Sequence, residues 1–316
     1  FKKKLYSEIK VAQFSGYVSE QSGYHHGEAS LNGAIVNMAQ DFVGSNNINL
    51  LMPNGQFGTR LQGGKDSASE RYIFTKMNKI TRTIFRKEDD DVLNYLNDDG
   101  QIVEPVFYVP IIPMILVNGA LGIGTGFSTK IPCYDPKQLV RVIKNKVHDS
   151  SQGMDYVEDI VPYYKGFKGT IEYTENGKYI TRGVYTIKNN KVTITELPIG
   201  IWNEDYITFL EKCLEVKKNK LKDYKDLSTD KDIYIELIFN DEFYDCYSIN
   251  SFEKNFKMTS SLSITNIYLF NKDEKLVNYK NINDIMNDFI NTRMEYYEIR
   301  KNYQIEKMEN YLKILK

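Results

Sequence analysis

The sequence predicts an α+β protein, because two contrasting patterns occupy different parts of its 316 residues. Between residues 170 and 195, apolar residues alternate with polar ones, which is typical of an antiparallel sheet. From Ile282 onward, apolar residues recur every three or four positions, which predicts one long helix. At roughly 100 to 200 residues per domain, the length predicts about two domains.

Composition excludes several classes of protein. The 41 basic and 42 acidic residues give a net charge of −1, which by itself indicates no preference of the whole chain for nucleic acid or membrane. Cys133, Cys213 and Cys246 are too few for a disulfide framework or a metal cluster, and we expect buried thiols in a reducing compartment. The longest apolar stretch, residues 105–117, is far shorter than the roughly 20 residues of a membrane span and contains three prolines. Because the chain opens on Phe1 without Met or a signal segment, we expect a piece of a longer protein.

The first region, to about residue 120, mixes helix and turn signals. Leu31, Ile35, Met38 and Phe42 recur at helical spacing after Gly23 and Gly27, which predicts a helix there. Ser67 followed by Glu70 forms a capping-box pattern, which predicts a second helix beginning at Ser67. The apolar stripe of that second helix would consist of Ile73, Met77, Ile80 and Ile84.

Charge is strongly segregated inside this region. Residues 57–87 hold eight basic residues against two acidic ones, a local balance of +6, and residues 88–100 hold six acids and no base. Tyr72 would lie in the first turn of the predicted helix, on its basic face, beside a helix N-terminus that favours phosphate. Positive charge favours the ionised phenolate, so Tyr72 is a candidate oxygen nucleophile toward a phosphodiester. Most of the 24 tyrosines are expected to pack or stack instead.

Two glycine-rich stretches resemble nucleotide-binding loops but fail in detail. Residues 58–66 are one residue too long for a phosphate loop, and Asp66 replaces the Ser or Thr that binds magnesium. Residues 122–126 are not followed by the helix that a dinucleotide turn requires. Instead, the glycines between 119 and 126 surround Ile123, which could project as a wedge between base steps. The alternative is an isoleucine buried on a tight turn.

His25 and His26 stand together, and they are two of only three histidines. Metal ligation needs further ligands that the sequence does not cluster, so we expect no metal site. Proton handling or a hydrogen bond to a phosphate is the functional interpretation, and a structural role at a helix end is the alternative.

The two clearest structural patterns lie later in the chain. A meander is predicted from strands at residues 170–173, 179–187 and 192–195, with turns at Asn176-Gly177 and Asn189-Asn190. The final helix carries one apolar seam, shifted in phase after Tyr303, which suits either a coiled coil or a helix packed on its own domain. The seam consists of Ile282, Ile285, Phe289, Thr292, Tyr296, Ile299, Tyr303, Ile305, Met308, Leu312 and Leu315.

Eight short motifs stand in a fixed order over most of the chain. They are EIKVAQ at 8–13, YHHGE at 24–28, QDFVGSNN at 40–47, FGTR at 57–60, GGKD at 63–66, RYI at 71–73, PMILVNGA with GIGTG at 113–126, and ELP at 196–198. The set resembles the DNA-gate region of type IIA DNA topoisomerases in their eukaryotic form. The resemblance implies a winged-helix domain over residues 1–120, with its N-terminal part outside the chain. It further implies a mixed α/β tower domain with an antiparallel sheet over 121–280, and the start of a coiled coil toward the C-gate over 281–316.

The resemblance also implies roles for particular residues. Tyr72 would attack a DNA phosphodiester and stay joined to the 5′ phosphate, and Arg71 would hold the scissile phosphate. His25 and His26 would contribute hydrogen bonds or proton transfer at the same site.

Further residues would contact DNA away from the chemistry. Ile123 would intercalate and bend the DNA, and Arg60, Lys65 and Lys10 would contact its phosphate backbone. Leu121 stands where the family often has an acid, and Phe127 where it usually has tryptophan; both are interpreted as packing variants.

As a whole, the resemblance implies an ATP-dependent type II DNA topoisomerase that acts on double-stranded DNA as a nuclear homodimer without a membrane segment. Magnesium and ATP would be bound by domains outside this chain, so we expect the fragment alone to cleave DNA inefficiently. One alternative is a non-catalytic DNA-bending or scaffold module that kept the fold. A weaker alternative is a nucleotide-binding enzyme built on the glycine loops.

Overall fold

The computed structural model describes residues 1–148, 160–175, 177–216 and 220–315. Helices mix with small sheets whose strand pairs are all antiparallel in these ranges, which confirms the predicted α+β class. The elements up to residue 131 are β1 Ile9–Lys10, α1 Val11–Ser22, α2 Glu28–Ala39, β2 Phe74–Thr75, α3 Thr81–Ile84, a 3-10 turn at Lys87–Val92, β3 Tyr95–Asp98, β4 Gln101–Pro105, α4 Met114–Val117, β5 Ala120–Gly124 and β6 Phe127–Ile131.

The remaining elements form the larger sheets and the final helix. They are α5 Pro136–His148, β7 Thr170–Tyr173, β8 Lys178–Arg182, β9 Val184–Lys188, β10 Lys191–Glu196, α6 Asn203–Glu215, β11 Leu221–Asp226, β12 Ile235–Phe239, α7 Phe243–Cys246, α8 Ile249–Asn255, β13 Thr259–Ser263, β14 Tyr268–Phe270, β15 Leu276–Asn278 and α9 Ile282–Leu315. Cys133 and Cys213 are buried, as predicted, whereas Cys246 is only half-buried.

The predicted helix after Gly27 is present as α2, but it ends at Ala39, so Phe42 of the predicted stripe lies beyond it. Ile35 is buried and Leu31 is partly buried in a cluster with Val11 of α1, whereas Met38 points to solvent. The preceding helix α1 ends at Gly23, which has a left-handed φ of 61° and donates its N–H to the Ser19 carbonyl. This conformation suits glycine because it lacks a Cβ.

The helix predicted to begin at Ser67 is wrong. Residues 67–73 form no helix and contain a turn at 70–72, and Phe74–Thr75 pairs with Ile9–Lys10 as a short antiparallel strand. The N–H of Ala68 bonds to the Gln56 carbonyl, and that of Phe74 bonds to the Asn54 carbonyl. Because these donors pair across the chain instead of within a helix, tertiary pairing overrides the local capping signal.

The predicted meander exists but is divided between two sheets. One sheet has the order β13-β8-β7 and the other β11-β12-β10-β9, and the long strand predicted at 179–187 breaks at Gly183. A Cβ on Gly183 would collide with the Glu196 carbonyl oxygen, so this close backbone approach requires glycine. The predicted turn at Asn189-Asn190 is present. Asn176, in the other predicted turn, lies outside the described residues.

The long final helix is confirmed as α9. Its first half buries Ile282, Ile285 and Met286 in the chain's own core, as the second interpretation of the seam predicted. Beyond Tyr303, the apolar side chains of the seam are exposed, so a coiled coil in that half stays a prediction.

The cluster that receives α9 joins distant parts of the sequence. Ile84, Leu116 and Tyr134 pack in it together with residues of α9, so it crosses the predicted boundaries at residues 120 and 280. Those domain boundaries therefore stay predictions. Among the described residues, no helix combines the length and the apolar character needed to cross a membrane.

Candidate nucleic-acid interface

Arg71 and Tyr72 form an exposed bulge that is pinned on both sides. The Glu70 carbonyl accepts the Ala12 N–H at 3.1 Å, and the Ile73 carbonyl accepts the Val11 N–H at 3.0 Å. These donors belong to the first turn of α1, where N–H groups have no partner within the helix. Ile73 is anchored in the core, whereas Tyr72 is 74% exposed and Arg71 is also exposed. A phenol and a guanidinium thus project side by side from a fixed backbone.

The source of positive charge at Tyr72 differs from the prediction. No helix begins at Ser67, and the Val11 and Ala12 N–H groups at the N-terminus of α1 already donate to the carbonyls that flank the bulge. Lys10 lies opposite Phe74 in the β1–β2 pair, and its Nζ lies 5.9 Å from the centre of that ring. Lys10 is exposed, so strand pairing brings a second cation near the bulge that carries Arg71.

His25 and His26 occupy the connection between α1 and α2. Their ring centres lie 4.7 Å apart, and the edge of Tyr24 meets His26 at 5.3 Å. The His25 Nδ1 lies 3.1 Å from the Gly23 carbonyl oxygen, and both imidazoles are exposed. The pair immediately precedes Gly27, which caps α2 without a side-chain hydrogen bond, so both the functional interpretation and the structural alternative stay predictions.

A cleft of about 400 Å³ separates these two connections. Glu28 and Asn32 of α2 line one wall, and Ser67 and Glu70 line the other. In the sequence, the histidines come just before Glu28 of the first wall, and Arg71-Tyr72 come directly after Glu70 of the second. Within the described ranges, no group of three His, Cys, Asp or Glu residues could hold a metal ion.

The loop that carries Lys65 is held closed by hydrogen bonds between its own residues. Asp66 accepts hydrogen bonds from the Thr59 N–H at 2.8 Å and from the Thr59 hydroxyl at 2.5 Å. A Cβ on Gly58 would lie 2.5 Å from the Gly64 carbonyl oxygen, so the two sides of the loop nearly touch. Asp66 therefore has a structural role, and Lys65 points to solvent.

Arg60 is not where the sequence predicted it. Its guanidinium is buried and pairs with the fully buried carboxylate of Glu196, whose other oxygen accepts the Lys168 N–H at 3.2 Å. The Arg60 carbonyl accepts the first N–H of α6, from Asn203, at 3.4 Å. Because the guanidinium is buried and its charge is neutralised internally, it does not form part of an exposed phosphate-binding surface in this structure. The prediction of a DNA contact by Arg60 is therefore corrected to a structural role.

The structural role of Glu196 as the buried partner of Arg60 was not predicted, because the residue was noted only as part of the ELP motif. It continues the inward phase of Val192 and Ile194 on β10. A carboxylate in the buried phase of a strand requires a buried partner, and this alternation was the available signal.

The hairpin β5–β6 presents Ile123 outward. Its side chain is 88% exposed, so the alternative of a buried isoleucine is wrong. Behind it, Thr129 accepts the Tyr268 N–H at 2.9 Å, and the rings of Phe127 and Tyr268 meet edge to face at 5.1 Å. The hairpin is therefore braced against β14 while Ile123 stays free of the core.

Internal ion pairs neutralise half of the cations in the basic stretch at residues 57–87. Four of its eight cations have acidic partners, in the pairs Arg60–Glu196, Lys76–Glu8, Arg82–Asp90 and Arg86–Glu88. Among the described residues the other four have no ion pair, namely Lys65, Arg71, Lys79 and Lys87. Most acids of the following run also form ion pairs within the protein. Arg71 of the bulge and Lys65 of its loop are therefore among the cations that could bind phosphate.

Comparisons with known proteins agree over the whole chain. The family model that describes the A-type subunits of DNA gyrase and topoisomerase IV matches residues 1–316. The DNA topoisomerase 2 of Arabidopsis thaliana is 47% identical over 98% of this chain, which covers 21% of that relative. The mitochondrial DNA topoisomerase 2 of Dictyostelium discoideum is 41% identical over 100% of this chain, which covers 24% of that relative.

A solved structure gives the same result in three dimensions. The crystal structure of the Plasmodium falciparum topoisomerase II DNA-binding, cleavage and re-ligation domain superposes with a TM-score of 0.93. It is 46% identical, and the match covers 98% of this chain and 42% of that one. The chain thus spans between a fifth and a quarter of the two curated relatives.

Proposed function

The chain belongs to the family of the A-type subunits of DNA gyrase and topoisomerase IV, and from that premise we propose that it is the DNA breakage-reunion region of an ATP-dependent type II DNA topoisomerase. The observation that carries the proposal is the Arg71-Tyr72 bulge, in which a nucleophile and a cation project from a backbone pinned by α1. A fixed nucleophile beside a phosphate-binding cation is what transfer at a phosphodiester requires.

In the proposed reaction, the Tyr72 oxygen loses its proton and attacks a DNA phosphorus. A bond forms between that oxygen and phosphorus, the bond to the 3′ oxygen breaks, and the 3′ oxygen leaves as a hydroxyl after taking up a proton. The 5′ phosphate remains esterified to Tyr72, so reversal of the same step reseals the strand without a separate energy donor. Double-strand cleavage, passage of a second duplex and resealing would then change DNA topology.

The neighbouring side chains have proposed roles in this step. Arg71 would donate hydrogen bonds to the non-bridging phosphate oxygens as charge develops on them. His25 and His26, which precede the opposite wall of the cleft, would supply hydrogen bonds or accept and return the proton.

The surface around the bulge would bind and bend the DNA. Ile123, exposed on a braced hairpin, would insert between base steps, and Lys65 and Lys10 would contact the phosphate backbone. Arg60 has no part in this proposal, because its buried pair with Glu196 holds the fold together.

The domain assignment is also a proposal. Residues 1–120 would form a winged-helix domain, residues 121–280 a tower domain, and residues 281–316 the start of a coiled coil toward the C-gate. The exposed apolar side chains beyond Tyr303 support a coiled coil and a homodimer. A nuclear location is proposed as well, and imaging of the full-length protein would test it because one relative is described as mitochondrial.

Magnesium and ATP do not fit the residues described here. No group of three acidic, histidine or cysteine side chains is assembled in the described ranges, and Asp66 is committed to Thr59. We therefore assign no step of this chain to either cofactor. In the proposal both are bound by parts of the full-length protein outside this sequence.

The decisive experiment replaces Tyr72 by Phe in the full-length parent. We expect DNA binding to survive, and the covalent protein–DNA complex and relaxation of supercoiled DNA to disappear. Tyr244→Phe is the matched control, because Tyr244 is 72% exposed but lies elsewhere in the fold. Relaxation by Tyr72→Phe would refute the assignment of the nucleophile. Bending without any covalent complex in the wild-type protein would favour the alternative of a DNA-bending scaffold.

A further inference from the structure

Leu121 is a second large apolar side chain held in solvent beside Ile123. It is 76% exposed, two residues before Ile123 on β5. Residues two apart on a strand share a face and lie about 6.7 Å apart. The two side chains therefore form one ridge whose length corresponds to about two base steps of DNA.

The partner strand adds polar groups to the same face. In the antiparallel register, Leu121 lies opposite Lys130 and Ile123 lies opposite Ser128. Lys130 is exposed and has no ion pair among the described residues. Its own N–H bonds to the Asn266 carbonyl at 3.1 Å, so the backbone that carries this cation is fixed. The face thus combines an aliphatic ridge with a free cation at one side.

Contacts on the rear face of the hairpin hold the ridge of Leu121 and Ile123 in its exposed position. Thr129 belongs to the opposite face and is nearly buried, with hydrogen bonds to the backbone of Tyr268 in both directions. Unstacking a base step costs a few kcal/mol, and a wedge on a mobile loop would yield instead of opening the step. Bracing by β14 supplies the necessary support.

We propose that Leu121 is a specificity-determining residue, which packs against minor-groove base edges about two base pairs from the step that Ile123 enters, while Lys130 contacts a flanking phosphate. In the minor groove, a G·C pair presents the guanine 2-amino group, a donor that A·T pairs lack. An aliphatic side chain packed there leaves that donor without a partner. Leu121 therefore selects against G·C at its contact position.

This inference rests on the proposed function, because it requires Ile123 to enter the DNA. Two readouts keep the two ideas apart. Energy transfer between dyes at the ends of a short duplex measures bending, which depends on Ile123. Mapping of covalent cleavage sites measures sequence preference, which depends on Leu121.

The experiment uses the full-length protein and duplexes in which one A·T pair at a time, on either side of the cleaved region, is replaced by G·C. At one position about two base pairs from the bent step, we expect wild-type cleavage to fall about tenfold with G·C. Replacing that guanine by inosine, which lacks the 2-amino group, should restore cleavage. Leu121→Ala should reduce the discrimination to within about twofold, and Leu227→Ala, at an exposed leucine outside the hairpin, should leave it unchanged.

Three further results have defined meanings. A position-specific preference that persists in Leu121→Ala, or no preference in the wild type, overturns the inference about Leu121. Unchanged bending in Ile123→Ala overturns the wedge on which the inference rests. Since Leu121 is largely exposed, Leu121→Glu should fold normally and lose the discrimination against G·C, because a carboxylate can accept a hydrogen bond from the guanine 2-amino group; an unchanged preference in a folded Leu121→Glu would also contradict the contact.

Discussion

Replacing Asp89 by Ala should loosen the attachment of α9 far more than replacing Asp91 by Ala. Asp89 is buried and accepts hydrogen bonds from Arg293 at 2.8 and 3.3 Å and from Arg300 at 3.0 Å. Asp91, two residues later, pairs with Lys307 at 3.3 Å, and both of these side chains are about half exposed. The two carboxylates thus pair with the same helix and differ mainly in burial.

The expected magnitudes follow from that difference. Without Asp89, the buried Arg293 loses the carboxylate that neutralises its charge and keeps the Val109 carbonyl, at 2.9 Å, as an acceptor. Breaking one side of a buried ion pair costs about 3–5 kcal/mol, whereas an exposed pair contributes about 0–1 kcal/mol. At about 1.4 kcal/mol per tenfold change, Asp89→Ala should increase local opening at least about 100-fold. Combining Asp89→Leu with Arg293→Met removes both charges and should recover most of the loss.

Native-state hydrogen exchange of the α9 backbone amides measures this local opening directly. Protection around Arg293 should fall at least about 100-fold in Asp89→Ala and less than about fivefold in Asp91→Ala. High salt should reduce the small effect of Asp91→Ala and leave that of Asp89→Ala largely unchanged, because buried pairs are screened less. Equal losses in the two single variants, or no recovery in the double variant, would refute the explanation by burial.

Three further perturbations test the interior. Glu196→Ala should lower the free energy of unfolding by about 3–5 kcal/mol, because it leaves the buried Arg60 unpaired, and a loss below about 1 kcal/mol in denaturant titration would contradict that view. Gly183→Ala should lower the melting temperature because its Cβ would collide with the Glu196 carbonyl oxygen. Gly16→Ala, in the middle of α1 and with nothing within 4 Å of the new Cβ, should be neutral or stabilising, and the reverse order would contradict the close backbone approach at Gly183. Burial raises the pKa of the Cys133 thiol from 9.0 to about 12, so the folded state retains a proton that the unfolded state loses, and this contribution to stability is complete below pH 9 and lost between pH 9 and 12. By about pH 10.5 the loss from this thiol reaches about 2 kcal/mol, and denaturation of Cys133→Ala should show a smaller decline over the same range.

Features that depend on short-range pattern could be predicted before any contact was known. Leu31 and Ile35 at helical spacing predicted α2, and the repeat from Ile282 predicted α9, because one face of each helix must be apolar to pack. The ordered motifs, with Arg71-Tyr72 among them, were sufficient to indicate the family that the comparisons then established. Such motifs are informative because residue identity and order can be read without knowing any long-range contact.

Which of these residues face solvent, by contrast, depends on contacts between distant parts of the chain. Arg60 and Lys65 belong to one basic stretch, yet the buried Glu196, more than 130 positions away, draws Arg60 inside and leaves Lys65 outside. The capping signal at Ser67 failed because carbonyls of residues 54 and 56 pair with that segment, and this pairing produces the bulge that exposes Tyr72. Local sequence sets the propensity and charge of each residue, but the energy of burial and of long-range pairing is several times larger than a capping preference and therefore decides where the residue lies.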